Sequence, residues 1–407
     1  MKNKEIAKRI LLKLTDQGYQ AYLVGGFVRD MILGRTTTDI DIATDAKPET
    51  VMVLFDKAIP TGIKHGTVTV IEEGFPIEIT TFRKEGKYLD FRHPIEVEFV
   101  ANLYDDLSRR DFTMNAIAMD KDGQFIDPFQ GKNAIQKQKI ESVGNPNDRF
   151  LEDPLRMLRA VRFASQLSFF IEEHTQNAIY QLAPYLQYIA IERVKIEFDK
   201  IMNSHNPELG LRLLFFFRLD QCLKEMDKDL FTVINRQMVY RAIGKTNDCQ
   251  IRWAILLESL NAKQRLEFMK GLRFSNHERV EIDAIFKAYS ILEQGLNIEN
   301  LKKCYIETEV EMCKKTLELS FLLGHIHEKE RLEALTTLMN LTKMMPVRTL
   351  RDLNITGKEI LQEVQKPAGP WVHHLLQKLF EQVVYHNLPN ERGILIKEIE
   401  HLRGEDI

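Results

Sequence analysis

The spacing of apolar and polar positions divides the chain into a mixed first part and a helical remainder. Up to about residue 140, short alternating runs predict strands at Tyr22 to Val24, Val68 to Ile71, Ile77 to Phe82 and Ala116 to Met119, and a helix from Glu49 to Phe55. Beyond that point apolar residues recur at helical spacing almost to the end. The pattern predicts the α+β class, with a small mixed sheet and helices first and an all-α portion after it.

Breaks in this periodicity predict where the parts of the chain meet. A chain of 407 residues is too long for one ordinary core. Turn-forming residues cluster at 144–147, at 203–207 and at 297–300. These breaks predict four parts, which we name the head (1–140), the neck (141–205), the body (206–298) and the tail (299–407).

Composition narrows the class of protein more than its function. Hydrophobic residues make up 44% of the chain and the net charge is −3, so any contact with nucleic acid needs a local basic surface. The strongest apolar cluster, Leu211 to Phe217, is far shorter than the ~20 residues of a membrane span. Four widely spaced cysteines favour reduced thiols over a disulfide framework or a zinc ribbon. These features predict a cytoplasmic protein that does not span a membrane.

Two glycines directly after the first predicted strand indicate a phosphate-binding turn. Gly25 and Gly26 allow the backbone to approach a ligand without a side-chain clash. A helix is predicted from near Phe27, and its amide groups and Arg29 can then face a triphosphate.

A pair of carboxylates follows this turn. In the segment Asp39-Ile40-Asp41-Ile42, strand alternation places both aspartates on one face, where their charges repel unless a cation lies between them. Mg²⁺ prefers a few carboxylate oxygens together with substrate phosphates, and two such ions can flank a displacement at phosphorus. The pattern favours metal-dependent nucleotidyl transfer over the alternative of a plain exposed strand beside a structural turn.

Two further motifs carry arginines. Arg110, in the segment Ser108 to Ala116, is a candidate triphosphate or ribose contact, although this segment also fits a charged helix entry. Downstream, Asp153 and Arg156 begin a helix on which Arg159 and Arg162 follow in steps of three. A surface ion pair is the simpler explanation for Asp153 and Arg156.

Base chemistry offers another explanation for this last pair. Cytosine and adenine both present an amino donor beside a ring-nitrogen acceptor on the pairing edge. A carboxylate, which only accepts, next to a guanidinium, which only donates, matches those two bases and mismatches guanine and uracil. Such a pair would select C and A without a nucleic-acid template.

Taken together, these motifs resemble those of the bacterial class II CCA-adding enzymes, the tRNA nucleotidyltransferases that build or repair the 3′ CCA end. The segments Gly-Gly-x-x-Arg-Asp with Asp-x-Asp, Arg-Arg-Asp-Phe-Thr-x-Asn-Ala and Glu-Asp-x-x-Arg occur in the family's order within the first ~200 residues. The resemblance implies a polymerase-β-like nucleotidyltransferase head, a neck that recognises the base, and a tail that binds tRNA. The segment Ile191-Glu192-Arg193 resembles a neck helix that supports the nucleotide pocket.

The resemblance also implies the ligands and the residues that bind them. The substrates are CTP, ATP and tRNA lacking part or all of CCA, with Mg²⁺ as cofactor and no role for DNA or a membrane. Metal binding falls to Asp39 and Asp41, and Glu78 resembles the family's third catalytic acid. Nucleotide contacts fall to Gly26, Arg29, Arg110, Asp153, Arg156, Arg159 and Arg162.

Three other functions remain open on the sequence. A bacterial poly(A) polymerase shares the head, but it carries an arginine-rich segment where this chain has Thr61 to Val68. A partial enzyme adding only CC or only A is the second; CC-adding relatives lack a loop in the head, and a candidate for that loop is present at Arg83 to Pro94. A noncatalytic RNA-binding protein does not need the aspartates, glycines and arginines that this chain retains.

Overall fold

The computed structural model describes residues 2–37, 39–85, 97–100, 102–223, 228–345 and 347–406. It divides into two compact units: Met1–Val233 with Glu267–Arg273, and Ile234–Leu266 with Phe274–Ile407. The division into head, neck, body and tail stays a prediction, since the first unit contains the head, the neck and the start of the body. Most of the predicted loop at Arg83 to Pro94 lies outside the described residues.

The strands of the described residues all belong to the first unit. In chain order they are β1 (Ala21–Val24), β2 (Ile40–Thr44), β3 (Ala58–Gly62), β4 (Thr67–Glu72), β5 (Phe75–Thr81), β6 (Arg83–Glu85), β7 (Val97–Phe99), β8 (Ala118–Met119), β9 (Phe125–Ile126), β10 (Lys139–Ile140) and β11 (Phe170–Ile171). Seven of them form one mixed sheet in the order β3-β4-β5-β2-β1-β8-β9. Within this sheet only β2 and β5 pair in parallel. Two further pairs, β6 with β7 and β10 with β11, lie outside it.

Helices make up most of the remaining chain. They are α1 (Lys2–Asp16), α2 (Gly25–Ile32), α3 (Pro48–Leu54), α4 (Leu103–Ser108), α5 (Gly131–Gln136), α6 (Pro146–Glu152), α7 (Leu155–Leu167), α8 (Glu173–Leu182), α9 (Ile191–Met202), α10 (Pro207–Phe216), α11 (Lys228–Val233), α12 (Arg236–Ala242), α13 (Cys249–Leu257), α14 (Ala262–Gly271), α15 (Asn276–Leu292), α16 (Ile298–Glu307), α17 (Val310–Leu322), α18 (Glu328–Met344), α19 (Gly357–Val364), α20 (Pro370–Tyr385) and α21 (Arg392–Asp406). Short 3-10 turns occur at Ile63–His65, Thr113–Asn115, Ala183–Tyr188, Leu219–Cys222, Ile243–Lys245 and Leu350–Asp352. None of the helices in the described ranges is both long enough and apolar enough to cross a bilayer.

The predicted fold class is confirmed: a mixed sheet in the head is followed by helices. The helix after the first strand begins at Gly25, two residues before its predicted start near Phe27. On α7, the apolar residues Leu158 and Val161 are buried, as the helical spacing predicts.

Helices α7, α9 and α10 pack closely around Gly210. A Cβ atom at this position would lie 2.5 Å from Ile201 Cγ2 and 2.8 Å from Ser165 Oγ, so only glycine fits without a shift of the neighbours. The Ser165 hydroxyl also donates a hydrogen bond to the carbonyl of Asn206 at 2.8 Å. The three helices are therefore held together by backbone proximity as well as by side chains.

The second unit is helical and has two apolar cores. One surrounds Leu317 and Leu338, both fully buried, and the other surrounds Leu379 and Leu395, which are equally buried. All four cysteines of the chain carry free thiols.

Candidate active site

A cavity of about 960 Å³ opens in the first unit, and nine of the ten predicted site residues line it. Its volume lies near the upper end of the range usual for small-molecule sites. The nine residues are Gly26, Arg29, Asp39, Asp41, Arg110, Asp153, Arg156, Arg159 and Arg162. Glu78 does not line the cavity. The structure thus brings together three motifs, of which the first and the third lie more than a hundred residues apart in the sequence.

The turn between β1 and α2 depends on Gly25 more than on Gly26. Gly25 has φ of +70°, which L side chains rarely adopt, and a Cβ there would lie 2.9 Å from Arg110 Nη1 and 3.3 Å from Asp41 Oδ2. A Cβ at Gly26 would meet Arg29 at an ordinary 3.6 Å. The missing side chain at Gly25 therefore lets Arg110 and Asp41 approach the start of α2.

Asp41 lies on β2 beside Glu78 on β5, because the two residues are register partners in the parallel pair. Asp39 immediately precedes the strand and is exposed. Burial raises the pKa of Asp41 to about 6; Arg110 lowers it, and the charges of Glu78 and Asp39 raise it further. The site therefore holds an excess of negative charge at Asp41 that a cation would relieve.

A chain of hydrogen bonds connects the arginine on α2 with one on α7. Arg29 Nη1 donates to Asn115 Oδ1 at 2.8 Å, Asn115 Nδ2 donates to Asp111 Oδ1 at 3.0 Å, and Arg159 Nε donates to Asp111 Oδ2 at 2.8 Å. Burial alone would raise the pKa of Asp111, but Arg159, Asn115 and Arg156 together hold it well below its usual value. Sequence reasoning assigned no role to Asp111 or Asn115 at the site, although both belong to the second motif.

We expect Asp111→Asn to lower the free energy of unfolding at pH 7 by about 3 kcal/mol, because it leaves Arg159 without its buried counter-charge. The pKa of Asp111 is depressed in the folded state, so its stabilisation is present above the unfolded-state pKa of about 4 and is lost as the pH falls below it. Denaturant unfolding between pH 7 and pH 3 measures this. Asp122→Asn, which breaks an exposed pair with Lys121, is the control and should cost little. The difference in the free energy of unfolding between the wild type and Asp111→Asn should shrink on acidification. A constant difference would contradict the expectation.

Asp106 on α4 is a second acid that sequence reasoning missed. Its carboxylate is fully buried and accepts hydrogen bonds from Arg109 Nε at 3.0 Å and from Arg110 Nη2 at 3.2 Å. Burial alone would raise the pKa of Asp106, but the two guanidinium groups lower it below its usual value. Asp106 therefore fixes the position of Arg110 against the turn at Gly25.

We expect Asp106→Asn to raise KM for CTP and ATP about fivefold, since a neutral amide holds Arg110 more weakly than a carboxylate does. Asp105→Asn on the same helix is the matched control and should leave KM unchanged. Steady-state kinetics in the wild-type and Arg110→Ala backgrounds test the mechanism. If Asp106→Asn raises KM by the same factor in the Arg110→Ala background, Asp106 does not act through Arg110.

The structure pairs Asp153 with a residue other than Arg156. Arg193 on α9 donates to Asp153 Oδ2 at 2.9 Å, and the amide of Leu155 donates to Asp153 Oδ1 at 3.1 Å. Arg156 Nη2 donates to the carbonyl of Arg109 at 3.0 Å. The simple surface ion pair between Asp153 and Arg156 is therefore not what the structure contains.

The other terminal nitrogen of Arg156, Nη1, is a buried hydrogen-bond donor. This nitrogen lies 3.5 Å from Glu152 Oε2, without hydrogen-bond geometry, and has no hydrogen-bond partner among the described residues. Buried polar groups rarely remain unsatisfied, so one unmade hydrogen bond of Arg156 is left beside the cavity that this residue lines.

Comparisons with family models and with known proteins agree on one family. Family models match residues 21–141 (Poly A polymerase head domain), 168–230 (RNA and SrmB-binding site of polymerase A) and 245–399 (tRNA nucleotidyltransferase domain 2). The CCA-adding enzyme of Bacillus cytotoxicus is 36% identical over 408 residues, covering 98% of this chain and 99% of that protein. The chain belongs to the family of CCA-adding enzymes. It is a tRNA nucleotidyltransferase.

Other members of the CCA-adding family support the same assignment. The enzyme of Bacillus cereus is 37% identical over 390 residues, with 95% of each chain covered. The crystal structure of the Bacillus stearothermophilus CCA-adding enzyme in complex with CTP is 34% identical, covers 99% of both chains and superimposes with a TM-score of 0.83. These relatives favour the CCA-adding interpretation over a poly(A) polymerase or a partial enzyme.

Nucleotidyltransferases of this kind generally depend on metal ions, and the carboxylates of the site fit one. Within the described residues, no group of three or more His, Cys, Asp or Glu side chains is arranged to hold a metal by itself. A pair of aspartates suits an ion that takes its other ligands from water and substrate phosphates, as Mg²⁺ does. The raised pKa of Asp41 agrees, since burial and the charges of Glu78 and Asp39 disfavour the ionised carboxylate and a bound cation would favour it.

Proposed function

We propose that this chain builds or repairs the 3′-terminal CCA of tRNA, adding cytidine from CTP and adenosine from ATP without a template and releasing pyrophosphate. One observation carries the proposal: a single cavity is lined by the paired aspartates, the glycine turn and the base-selecting Asp153 and Arg156. The solved relative with CTP, 34% identical over the whole chain, supports the choice of substrate.

The residues at the glycine turn would bind the triphosphate. Gly25, Gly26, Arg29 and Arg110 all line the cavity, and the guanidinium groups of Arg29 and Arg110 lie next to the glycine turn, where they would neutralise a polyphosphate. Gly26 would let the backbone come close to the phosphates. Asp111 and Asp106 would hold the arginines in place, so that their side chains do not have to be ordered when the nucleotide binds.

Asp39 and Asp41 would hold Mg²⁺, and Glu78 on the adjacent strand would act as the third acid. Two bound Mg²⁺ ions supply charge stabilisation to the attacking and leaving oxygens of the transfer. The aspartates also define where the tRNA 3′ hydroxyl meets the α-phosphorus. Catalysis would rest on this positioning and on the arginines that stabilise charge on the phosphates, with no protein base required.

Asp153 and Arg156 would choose the base. Asp153 would accept from the amino group shared by cytosine and adenine, and the guanidinium of Arg156 would donate to the neighbouring ring acceptor. Arg193 holds Asp153 in one orientation, because its guanidinium bonds the carboxylate. Arg159 and Arg162 would complete the nucleotide contacts from the same helix. The tail would bind tRNA, and the predicted cytoplasmic location agrees with a tRNA substrate.

Sequencing of product 3′ ends tests the proposal. The enzyme is incubated with tRNA lacking CCA and with all four nucleoside triphosphates, and the expected product ends in CCA with no U or G. Runs of A would indicate a poly(A) polymerase, and products ending in CC would indicate a partial enzyme. Asp41→Ala is the control that distinguishes this activity from a contaminant.

A further inference from the structure

Phe163 lies at the centre of the arginines that line the cavity. It is on α7, is 5% exposed and lines the cavity itself. The guanidinium carbons of Arg162, Arg29 and Arg159 lie 4.0, 5.1 and 5.7 Å from the centroid of its ring. All three distances fall within the ~6 Å over which an aromatic face attracts a cation.

The three guanidinium groups repel one another, and their positive charges are neutralised to different extents by acidic partners. Arg29 bonds Asp30 and Asn115, and Arg159 bonds Asp111. Arg162, the third arginine, makes weaker contacts with acidic groups than Arg29 and Arg159 do.

Arg162 has only an imperfect ion pair. Its Nε lies 3.2 Å from Glu197 Oε2, but neither atom has a hydrogen-bond partner within the described part of the chain. Burial lowers the pKa of Arg162 to about 10, and the charges of Arg159 and Arg29 add to this, while Glu197 and Asp111 oppose it. The guanidinium still carries its charge at neutral pH, at only 4.0 Å from the ring centroid of Phe163.

We propose that Phe163 is a positioning residue whose aromatic ring holds Arg29, Arg159 and Arg162 together in the free enzyme, ready for the nucleotide. The proposal rests on the function proposed above, in which these arginines contact CTP and ATP. A ring offers negative potential on its faces without adding a carboxylate that would repel the triphosphate. An acid at the same place would hold the arginines but would also compete with the ligand.

The ring is itself held in a fixed orientation. Phe112, from the second sequence motif, meets Phe163 in a T-shaped contact with centroids 5.8 Å apart and an interplanar angle of 86°. Phe112 is fully buried. The orientation of the Phe163 face is therefore set by the head residue next to Asp111, which holds Arg159.

Stepwise fluorination of Phe163 tests the proposal, because fluorine withdraws the negative potential from the ring face while nearly preserving its shape. Mono-, di- and trifluorophenylalanine are introduced at position 163 in the full-length chain, and the Kd for CTP with Mg²⁺ is measured by calorimetry without tRNA. We expect Kd to rise with each fluorine, reaching about tenfold for the trifluoro variant. The melting temperature is measured for each variant. Phe163→Leu, which removes the ring, is expected to raise Kd at least as much.

Two matched controls separate the cation–π contacts from other effects. The same series at Phe112 alters the contact between the rings alone, and the same series at Phe286 alters a pair with Arg265 at 3.9 Å in the second unit. The Phe286 series is expected to leave the Kd for CTP unchanged, and the Phe112 series, which alters ring packing but no arginine contact, is expected to raise it much less than the Phe163 series does. An equal rise in the Phe112 series would overturn the proposal in favour of simple ring packing. A flat series at Phe163 would also overturn it if the wild type binds CTP, whereas a wild type that does not bind CTP would refute the proposed function instead.

Discussion

Replacing Asp41 by alanine is expected to abolish the addition of both cytidine and adenosine, while the affinity for tRNA remains close to that of the wild type. Asp41 lines the cavity, neighbours Glu78 across the parallel strand pair and lies next to the glycine turn. Loss of a metal-binding carboxylate removes several kcal/mol of transition-state stabilisation, and about 4 kcal/mol corresponds to roughly a thousandfold in rate. Binding of tRNA depends on phosphate contacts elsewhere and should not change.

Incorporation of labelled CTP and ATP into tRNA lacking CCA measures the loss, and a filter-binding titration measures tRNA affinity. Asp45→Ala is a matched control just beyond the same strand, where the carboxylate accepts hydrogen bonds from Gln20. It should retain most of the activity, whereas Asp39→Ala should resemble Asp41→Ala. An Asp41→Ala enzyme that keeps a tenth of the wild-type rate would argue against a two-metal site at these aspartates.

Asp153→Ala is expected to relax the choice of base by at least tenfold. In the proposed function, the substitution removes the acceptor for the amino groups of cytosine and adenine and leaves Arg156 to donate to a carbonyl of uracil or guanine. Losing one charge-assisted contact costs on the order of 1.5 to 3 kcal/mol, which is enough for this change in discrimination. An exposed ion pair would change both rate and selectivity within about twofold.

The measurement compares kcat/KM for CTP, ATP, UTP and GTP in the wild type and the variant. Asp148→Ala on the preceding helix is the control, since this exposed acid does not line the cavity. If the variant slows equally for all four nucleotides, Asp153 supports the pocket without reading the base. That outcome would leave the metal site and its prediction unaffected.

The parts of the site predicted from sequence are those encoded locally. A glycine pair after a strand and two aspartates one residue apart indicate their chemistry within a few positions, and the structure places Gly26, Asp39 and Asp41 around one cavity. The helical spacing likewise predicted that Leu158 and Val161 face the core. These features can be recognised from neighbouring residues alone, without knowledge of how distant segments pack.

The parts that sequence reasoning missed depend on contacts between distant segments. Arg193 reaches Asp153 from forty residues away, and Arg159 reaches Asp111 across forty-eight. Neither pairing has a sequence spacing that identifies it, because the first joins two separate segments of the neck and the second joins the neck to the head. The role of Phe163 was equally hidden, since an aromatic residue on a helix usually indicates no more than a core position.

Gly210 has a consequence for attempts to engineer a different nucleotide preference. Because a single methyl group there would collide with Ile201 and Ser165, the crossing of α7, α9 and α10 has no room for added bulk. A library aimed at new substrates should therefore vary the side chains that touch the nucleotide and leave the three packed helices unchanged. Variants that insert bulk at this crossing are expected to be recovered as misfolded protein rather than as enzymes with altered specificity.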